Sequence, residues 1–308
     1  MAGKETVAVL GAGGTMGLPM ARNIAKAGIQ VRAWNRSADK AAPLAAEGVY
    51  LADSPADAAR DAGIVLTMVM DADAVMAVMD GPDGALSAMT GTSDLGGDQG
   101  PGSRDAYQGL WLQMGTIGEA ATARCADLAA ARGVGFADAP VVGASQAAES
   151  GGLVVLESGP EEARARLEPV FDAVGQRTVH AGEAGAGSRL KTVVNSWLLT
   201  IVEAAAETTA LAEGVDLDPA LLFAVIEGGP LDQPYLRLAS QAMLNRDFTP
   251  DFRLPMAAKD AGFAREAAAE RELDLPMIDA IARRMAAGAS ELGDQDYIAT
   301  YLLSAPPS

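Results

Sequence analysis

The sequence predicts an α/β fold: an N-terminal doubly wound parallel sheet, followed by an all-α C-terminal domain joined to it by one long interdomain helix. Three observations carry this. Up to about His180, short apolar runs alternate with alanine-rich helical stretches, as parallel strands with crossover helices require. The first run empties into a glycine-rich loop that a helix follows. From about Gly185 strand signals stop and helical segments continue to the C-terminus. The boundary is expected near residue 181, dividing the chain into 1–181 and 182–308.

Strands are expected at Val7–Leu10, Val31–Trp34, Ile64–Val69, Leu110–Met114, Phe136–Ala139, Leu153–Leu156 and Thr178–His180. Ser54-Pro55 reads as a cap before a first-turn proline, and Gly133 as the stop after Ala129–Arg132. The interdomain helix, Ser188–Ala212, is apolar on most faces, which predicts burial. Further helices are expected over Asp218–Ile226, Pro234–Met243, Pro255–Glu272 and Pro276–Leu292, with a frayed tail at Ser304–Ser308. Gly91–Gly109, rich in Gly, Ser and Asp, has no periodicity and reads as an exposed loop before the strand at Leu110, with no function assigned.

The 308 residues suffice for two cores. A net charge of −18 repels phosphate backbones, so no nucleic-acid partner is expected. A single cysteine, Cys125, allows no intrachain disulfide and fits a cytoplasmic location. No signal peptide is expected, because Met1–Thr6 has no basic segment leading into an apolar run. The longest apolar region, Val193–Ala206, is interrupted by Asn195, Ser196 and Glu203, so no membrane span is expected either. His180 is the one histidine, which rules out clustered-histidine metal sites and histidine triads. No metal is expected.

The strand Val7–Leu10 runs into Gly11-Ala12-Gly13-Gly14-Thr15-Met16-Gly17 and then a helix. Gly11 permits a tight turn, Gly13 lets backbone amides approach a pyrophosphate, and the helix N-terminus supplies a positive dipole. This is a Rossmann-type dinucleotide loop whose third glycine stands at 17, with Met16 at the usual place. At the end of the second strand an NAD-selective site would offer Asp or Glu to the ribose 2′-hydroxyl. Here Asn35, Arg36 and Ser37 stand there. Arg36 can clamp a 2′-phosphate, so NADP is the expected cofactor.

Lys191 and Asn195 are four apart on the interdomain helix and share a face, with Gly187 one turn earlier. A lysine on a nearly all-apolar helix at a domain boundary is costly to bury without a purpose.

Five segments, in order, resemble the β-hydroxyacid dehydrogenase family, the family of 3-hydroxyisobutyrate dehydrogenase, which is related to imine reductases and has a C-terminal domain like that of 6-phosphogluconate dehydrogenase. Gly11–Gly17 resembles its G-x-G-x-M-G. Gln113-Met114-Gly115-Thr116-Ile117 resembles D-x-S-T-I, and Asp138-Ala139-Pro140-Val141-Val142-Gly143-Ala144 resembles D-A-P-V-S-G-G. Gly187–Asn195 matches G-x-x-x-K-x-x-x-N, and Lys259-Asp260 matches K-D. The resemblance implies a homodimer acting on a small-molecule β-hydroxyacid or its carbonyl form. It implies that Lys191 is the general acid/base and that Asn195 holds the substrate or the lysine. Gly11, Gly13, Gly14, Thr15, Met16, Asn35, Arg36, Ser37, Val69, Met70, Thr116 and Lys259 would bind the cofactor. Thr116, Val142 and Gly143 would line the substrate, Gly143 by a backbone amide to its carboxylate. On its own residues Lys259 reads equally as a surface helix charge.

Two departures matter. The family's serines before Thr116 and Gly143 are Gly115 and Val142 here, and Ala144 replaces a glycine. Each lost hydroxyl removes a candidate hydrogen bond to substrate. An NADPH-dependent imine reductase acting on cyclic imines is the nearest rival, although those enzymes typically replace the catalytic lysine. A non-catalytic NADP-binding module is a third reading.

Overall fold

A computed structural model describes residues 5–89 and 108–305. Residues 91–107 of the expected inserted loop, and 306–308 of the expected tail, lie outside the described residues.

The strands are β1 (Thr6–Leu10), β2 (Gln30–Trp34), β3 (Tyr50–Leu51), β4 (Ile64–Thr67), β5 (Leu110–Gln113), β6 (Gly135–Asp138), β7 (Val141–Val142), β8 (Leu153–Ser158) and β9 (Gly175–Gly182). Helices α1 (Gly17–Lys26), α2 (Ala38–Ala41), α3 (Pro55–Ala59), α4 (Ala72–Asp80), α5 (Glu119–Ala131), α6 (Ser145–Glu149) and α7 (Glu161–Val174) interleave with them. Then come α8 (Ala186–Gly214), α9 (Ala220–Ile226), α10 (Pro234–Leu244), α11 (Leu254–Glu270) and α12 (Pro276–Leu292). The chain divides into two compact units, Met1–Lys191 and Thr192–Ser308, with the division inside α8.

In the first unit one sheet runs β3-β2-β1-β4-β5-β6-β8-β7, with β9 beside β8. From β3 to β6 all pairs are parallel. Strand β1 explains the doubly wound form. Val7 and Val9 belong to one core with Ile24, Leu66, Leu112 and Phe171, while Ala8 and Leu10 belong to the other with Val65, Val75 and Trp111. A strand buried on both faces reads as an unbroken apolar run, as this one does. The Ser54 cap is present, its side chain accepting from Asp57 N with Pro55 at the first helical position. Gly133, at φ +66°, ends the turn after α5.

The sheet departs from the expected uniform parallel pattern at its far edge. Strand β8 is antiparallel to β6 through Asp138 and Ser158, and antiparallel to β7, while β9 runs parallel to β8. Strands β3 and β7 were not expected. Each has two residues, too few for an alternation to register, and β7 follows Pro140 directly.

The second unit packs Leu199, Val202 and Ala206 of α8 with Met243, Leu254, Met285, Tyr297 and Tyr301. The expected burial of the long helix holds on one side only. Leu199 and Val202 are at 1% and 0% exposure, whereas Val193, Trp197 and Leu211 stand at 66%, 62% and 64%. Among the described residues no helix is long and apolar enough to cross a membrane.

Candidate functional site

The C-terminal ends of the parallel strands form one level edge. Trp34 pairs with Leu10, Leu10 with Thr67, Thr67 with Gln113 and Gln113 with Asp138, so the strand-ending loops leave from a single row. In open α/β sheets this edge is where ligands bind. It carries the first-unit candidates: Gly11–Met16 after β1, Asn35–Ser37 after β2, Val69 and Met70 after β4, Thr116 after β5, and Val142 and Gly143 past β6.

The loop after β1 is built by close approach. Gly11 has φ +94°, and a Cβ there would lie 2.2 Å from Met68 O; one on Gly17 would lie 2.1 Å from Gly11 O. The turn is therefore drawn against the loop after β4 and the start of α1. No side chain caps α1, and Gly14 and Thr15 are exposed beside it. Pro19 has no N–H, and Leu18 N and Met20 N donate to Gly14 O and Met16 O, so what this end offers a pyrophosphate is the positive end of the helix dipole beside the exposed Gly14 and Thr15.

The absent side chain of Gly13 also makes room for its neighbours. The space its side chain would fill is taken by Asn35 and by Lys40 Cβ, each 2.7 Å from where a Cβ on Gly13 would stand. Gly13 N donates to Asn35 Oδ1 at 3.1 Å, and Asn35 Nδ2 donates to Ser37 O at 2.9 Å. Asn35 is a brace between the two loops. Arg36 and Ser37 are exposed, and Lys40 is a second exposed cation on this side that sequence reasoning missed. Its place in α2, one turn beyond Arg36, was the available signal.

The turn after β5 shows why Gly115 stands where the family has serine. Gln113 is fully buried; its Oε1 accepts from Gly115 N at 3.0 Å and from Thr67 Oγ1 at 3.1 Å, and its Nε2 donates to Gly115 O at 2.7 Å. This clamp draws Gly115 so close that a Cβ would lie 2.8 Å from Val69 O. The missing hydroxyl and the glutamine belong to one arrangement. Gly143, at φ +130°, sits where a Cβ would meet Leu153 and Ala147 side chains at 2.9 Å.

Asp138 is completely buried at the end of β6. Burial pushes its carboxyl up to about 6, against hydrogen bonds from Ser188 and Ser158 and the charge of Arg189, which pull it down. The folded state therefore binds the proton more tightly than the unfolded chain. The stability this gives is full below about pH 3.8 and is lost as pH rises to about 6. Asp138→Asn has no proton to lose, so its Tm relative to wild type is expected to rise between pH 4 and pH 7; parallel thermal melts check this.

Lys191 is half-buried on α8, one helical turn before Asn195. In the second unit Asn195 is 2% exposed and donates from Nδ2 to Asp260 Oδ2 at 2.7 Å. Lys259 Nζ lies 3.4 Å from Asp260 Oδ1 and 5.4 Å from the Phe263 ring centre. Asp260, 4% exposed, thus links Asn195 to Lys259, a role the K-D motif alone did not reveal. His180 accompanies buried Glu157, with Nδ1 at 2.6 Å from Oε2, on β9 and away from these residues in the sequence. Among the described residues no group of three His, Cys, Asp or Glu could hold a metal ion.

Residues 6–182 match the model of the NAD binding domain of 6-phosphogluconate dehydrogenase. Residues 185–303 match that of the NAD-binding domain of NADP-dependent 3-hydroxyisobutyrate dehydrogenase. The chain is 30% identical to 3-hydroxyisobutyrate dehydrogenase of Pseudomonas aeruginosa over 286 residues, 91% of this chain and 90% of that one. A solved structure of Mycobacterium tuberculosis 3-hydroxyisobutyrate dehydrogenase with L-serine superposes at TM-score 0.83 and 28% identity, covering 97% of this chain and 98% of that one. An imine reductase of Streptomyces aurantiacus shares the fold at TM-score 0.60 and 20% identity, covering 97% and 99%.

Proposed function

The chain belongs to the β-hydroxyacid dehydrogenase family, that of 3-hydroxyisobutyrate dehydrogenase, and on that premise we propose that it is an NADP-dependent oxidoreductase of a small β-hydroxyacid or its carbonyl form, with Lys191 as general acid/base. The observation that carries the reading is Lys191 one turn before a buried asparagine that Asp260 holds in place.

The cofactor would sit on the Gly11–Met16 turn, its pyrophosphate at the uncapped start of α1 and its 2′-phosphate toward Arg36, Ser37 and Lys40. Val69, Met70, Thr116 and Lys259 complete its contacts in this reading. A nicotinamide bound there would supply the hydride in reduction or accept it in oxidation. Lys191 Nζ donates a proton to the carbonyl oxygen as that oxygen gains charge, and takes it from the hydroxyl in the reverse direction. With its N–H given to Asp260, Asn195 offers Oδ1 to the Lys191 ammonium or to the substrate hydroxyl. Gly143, with Val142 beside it, presents a backbone amide to the substrate carboxylate. Gly115 and Val142 give the substrate walls without hydroxyls. That single feature favours the imine reductase reading, since a cyclic imine has no carboxylate to bind.

An assay of NADPH oxidation against small ketoacids, semialdehydes and cyclic imines tests the reading. Turnover of the carbonyl acids supports it; turnover of the imines alone replaces it with the rival.

The assembly proposed is a homodimer in the cytoplasm. Val193, Trp197, Leu211, Leu221, Val225, Leu231 and Leu238 are all more than half exposed on α8, α10 and the segment between them. Leaving such a large apolar surface in water is unfavourable, and a second copy would cover it. Light scattering at micromolar concentration is expected to give twice the chain mass of 31.4 kDa, and a monomeric mass refutes the dimer. Cys125 is buried and its thiol is pushed up to about 11, so it is inert toward pairing.

A further inference from the structure

Helix α8 starts without a cap of its own. Gly185, whose carbonyl accepts from Arg189 N at 3.1 Å, has no side-chain oxygen for the first-turn amides. Those amides are satisfied from the sheet. Gly187 N donates to Ser158 Oγ at 2.9 Å, and Ser188 N donates to Asp138 Oδ2 at 2.6 Å. Ser188 Oγ donates to Asp138 Oδ1 at 2.9 Å, and Ser158 Oγ donates to the Asp138 carbonyl at 3.1 Å. The fit is close: a Cβ on Gly187 would lie 2.3 Å from Leu156 O and 3.0 Å from Asp138 O.

A fully buried carboxylate is an expensive cap. A serine or aspartate cap at position 185 is not open to this chain, because Gly185 is buried and its φ of +92° would strain any side chain there. What Asp138 adds is a tie between two parts of the first unit. It ends β6 and opens the segment that leads to Val142 and Gly143, and it grips the helix three residues before Lys191, within one turn. The positive end of the helix dipole favours the charge there.

The same carboxylate heads a chain of hydroxyls. Ser188 Oγ lies 3.0 Å from Thr122 Oγ1, which lies 2.9 Å from the carbonyl of Gly118, two residues past Thr116. Each hydroxyl has one proton. Ser188 Oγ gives its proton to Asp138, and Thr122 Oγ1 gives its own to the Gly118 carbonyl. Arg189 is the charged side chain acting on Asp138, and Cys125 of α5 feels the charge of Asp138 in turn.

We propose that Asp138 is a positioning residue: by gripping Ser188 it fixes the first turn of α8 on the sheet, and so holds Lys191 in place relative to the Val142–Gly143 segment. The proposal rests on Lys191 being the acid/base, but its test can be read without turnover. The deciding readout is the 13Cε signal of Lys191 in lysine-labelled protein, assigned by its loss in Lys191→Arg. Asp138→Ala is expected to shift that signal and its titration. It should also lower kcat about tenfold or more, with NADPH affinity within about twofold of wild type, since lost orientation of a catalytic group costs on that scale. Asp138→Asn is expected to restore the signal, and kcat to within about threefold of wild type. Its oxygen can accept from Ser188 N and its amide can donate to Ser188 Oγ, one bond short of the charge-assisted pair. If Asp138→Ala does not fold, Ser188→Ala takes its place with a smaller shift in the same direction. A Lys191 signal that the alanine leaves in place, or that asparagine fails to restore, overturns the proposal whatever happens to Tm. Full activity in Lys191→Ala would instead defeat the acid/base reading and leave this signal to report on the anchor by itself.

Discussion

Lys191→Ala is expected to lower kcat by about 10²–10⁴-fold, the range that a positioned acid/base contributes. NADPH affinity should stay nearly unchanged, because the lysine acts on the substrate oxygen and not on the nucleotide. Asn195→Ala should cost less. The double variant should be little worse than Lys191→Ala alone, since residues that act as a unit do not add. Asn195 sits at 2% exposure with its amide committed to Asp260, so its removal also leaves a buried carboxylate short of a donor. Part of its effect should therefore appear as lost stability, and melts on the same samples separate the two. Steady-state kinetics on the best carbonyl substrate give the comparison. Full activity in Lys191→Ala would place the acid elsewhere and favour the imine reading, in which an iminium arrives already protonated.

Arg36→Ala is expected to weaken NADPH binding on the order of 10- to 100-fold while leaving NADH binding nearly unchanged. That is the scale of one charge-assisted bond to phosphate. Lys40 lies on the same side of the Gly13 turn, and it should moderate the loss. Titration of both cofactors against wild type and variant gives the answer. Equal wild-type affinities for NADPH and NADH would contradict the NADP assignment outright. The brace Asn35 is a poor alternative probe, because its substitution would loosen the Gly13 turn and weaken both cofactors together.

Much of this was legible in the sequence because the relevant signals are local. Strand β1 and its loop announce themselves through an apolar run that ends in glycines, and Pro276–Leu292 was bounded by its proline and its period. The Lys191–Asn195 spacing needs nothing beyond helix geometry. What was missed is tertiary. Asp138 looked like part of a substrate motif and proves to grip a helix 50 residues away in the chain. Gly115 looked like a lost serine, whereas the Gln113 clamp leaves no room for any side chain there. That Gly13 also makes room for Asn35 and Lys40 could not be read from the loop alone. The antiparallel edge escaped notice because β6 and β8 pair through a single residue pair and β7 has two residues. The apolar faces of α8 were read as buried, and half of that expectation fails within a single chain, as Trp197 at 62% exposure shows.

In the proposed reaction Lys191 moves the proton. The deciding comparison is the pH dependence of kcat/KM, taken on wild type and on Lys191→Ala with the same carbonyl substrate. The wild-type profile should carry an ionisation that is absent from the variant, and the variant should level off at a lower plateau. The same profile in both proteins, at comparable rates, would mean that Lys191 does not carry the proton.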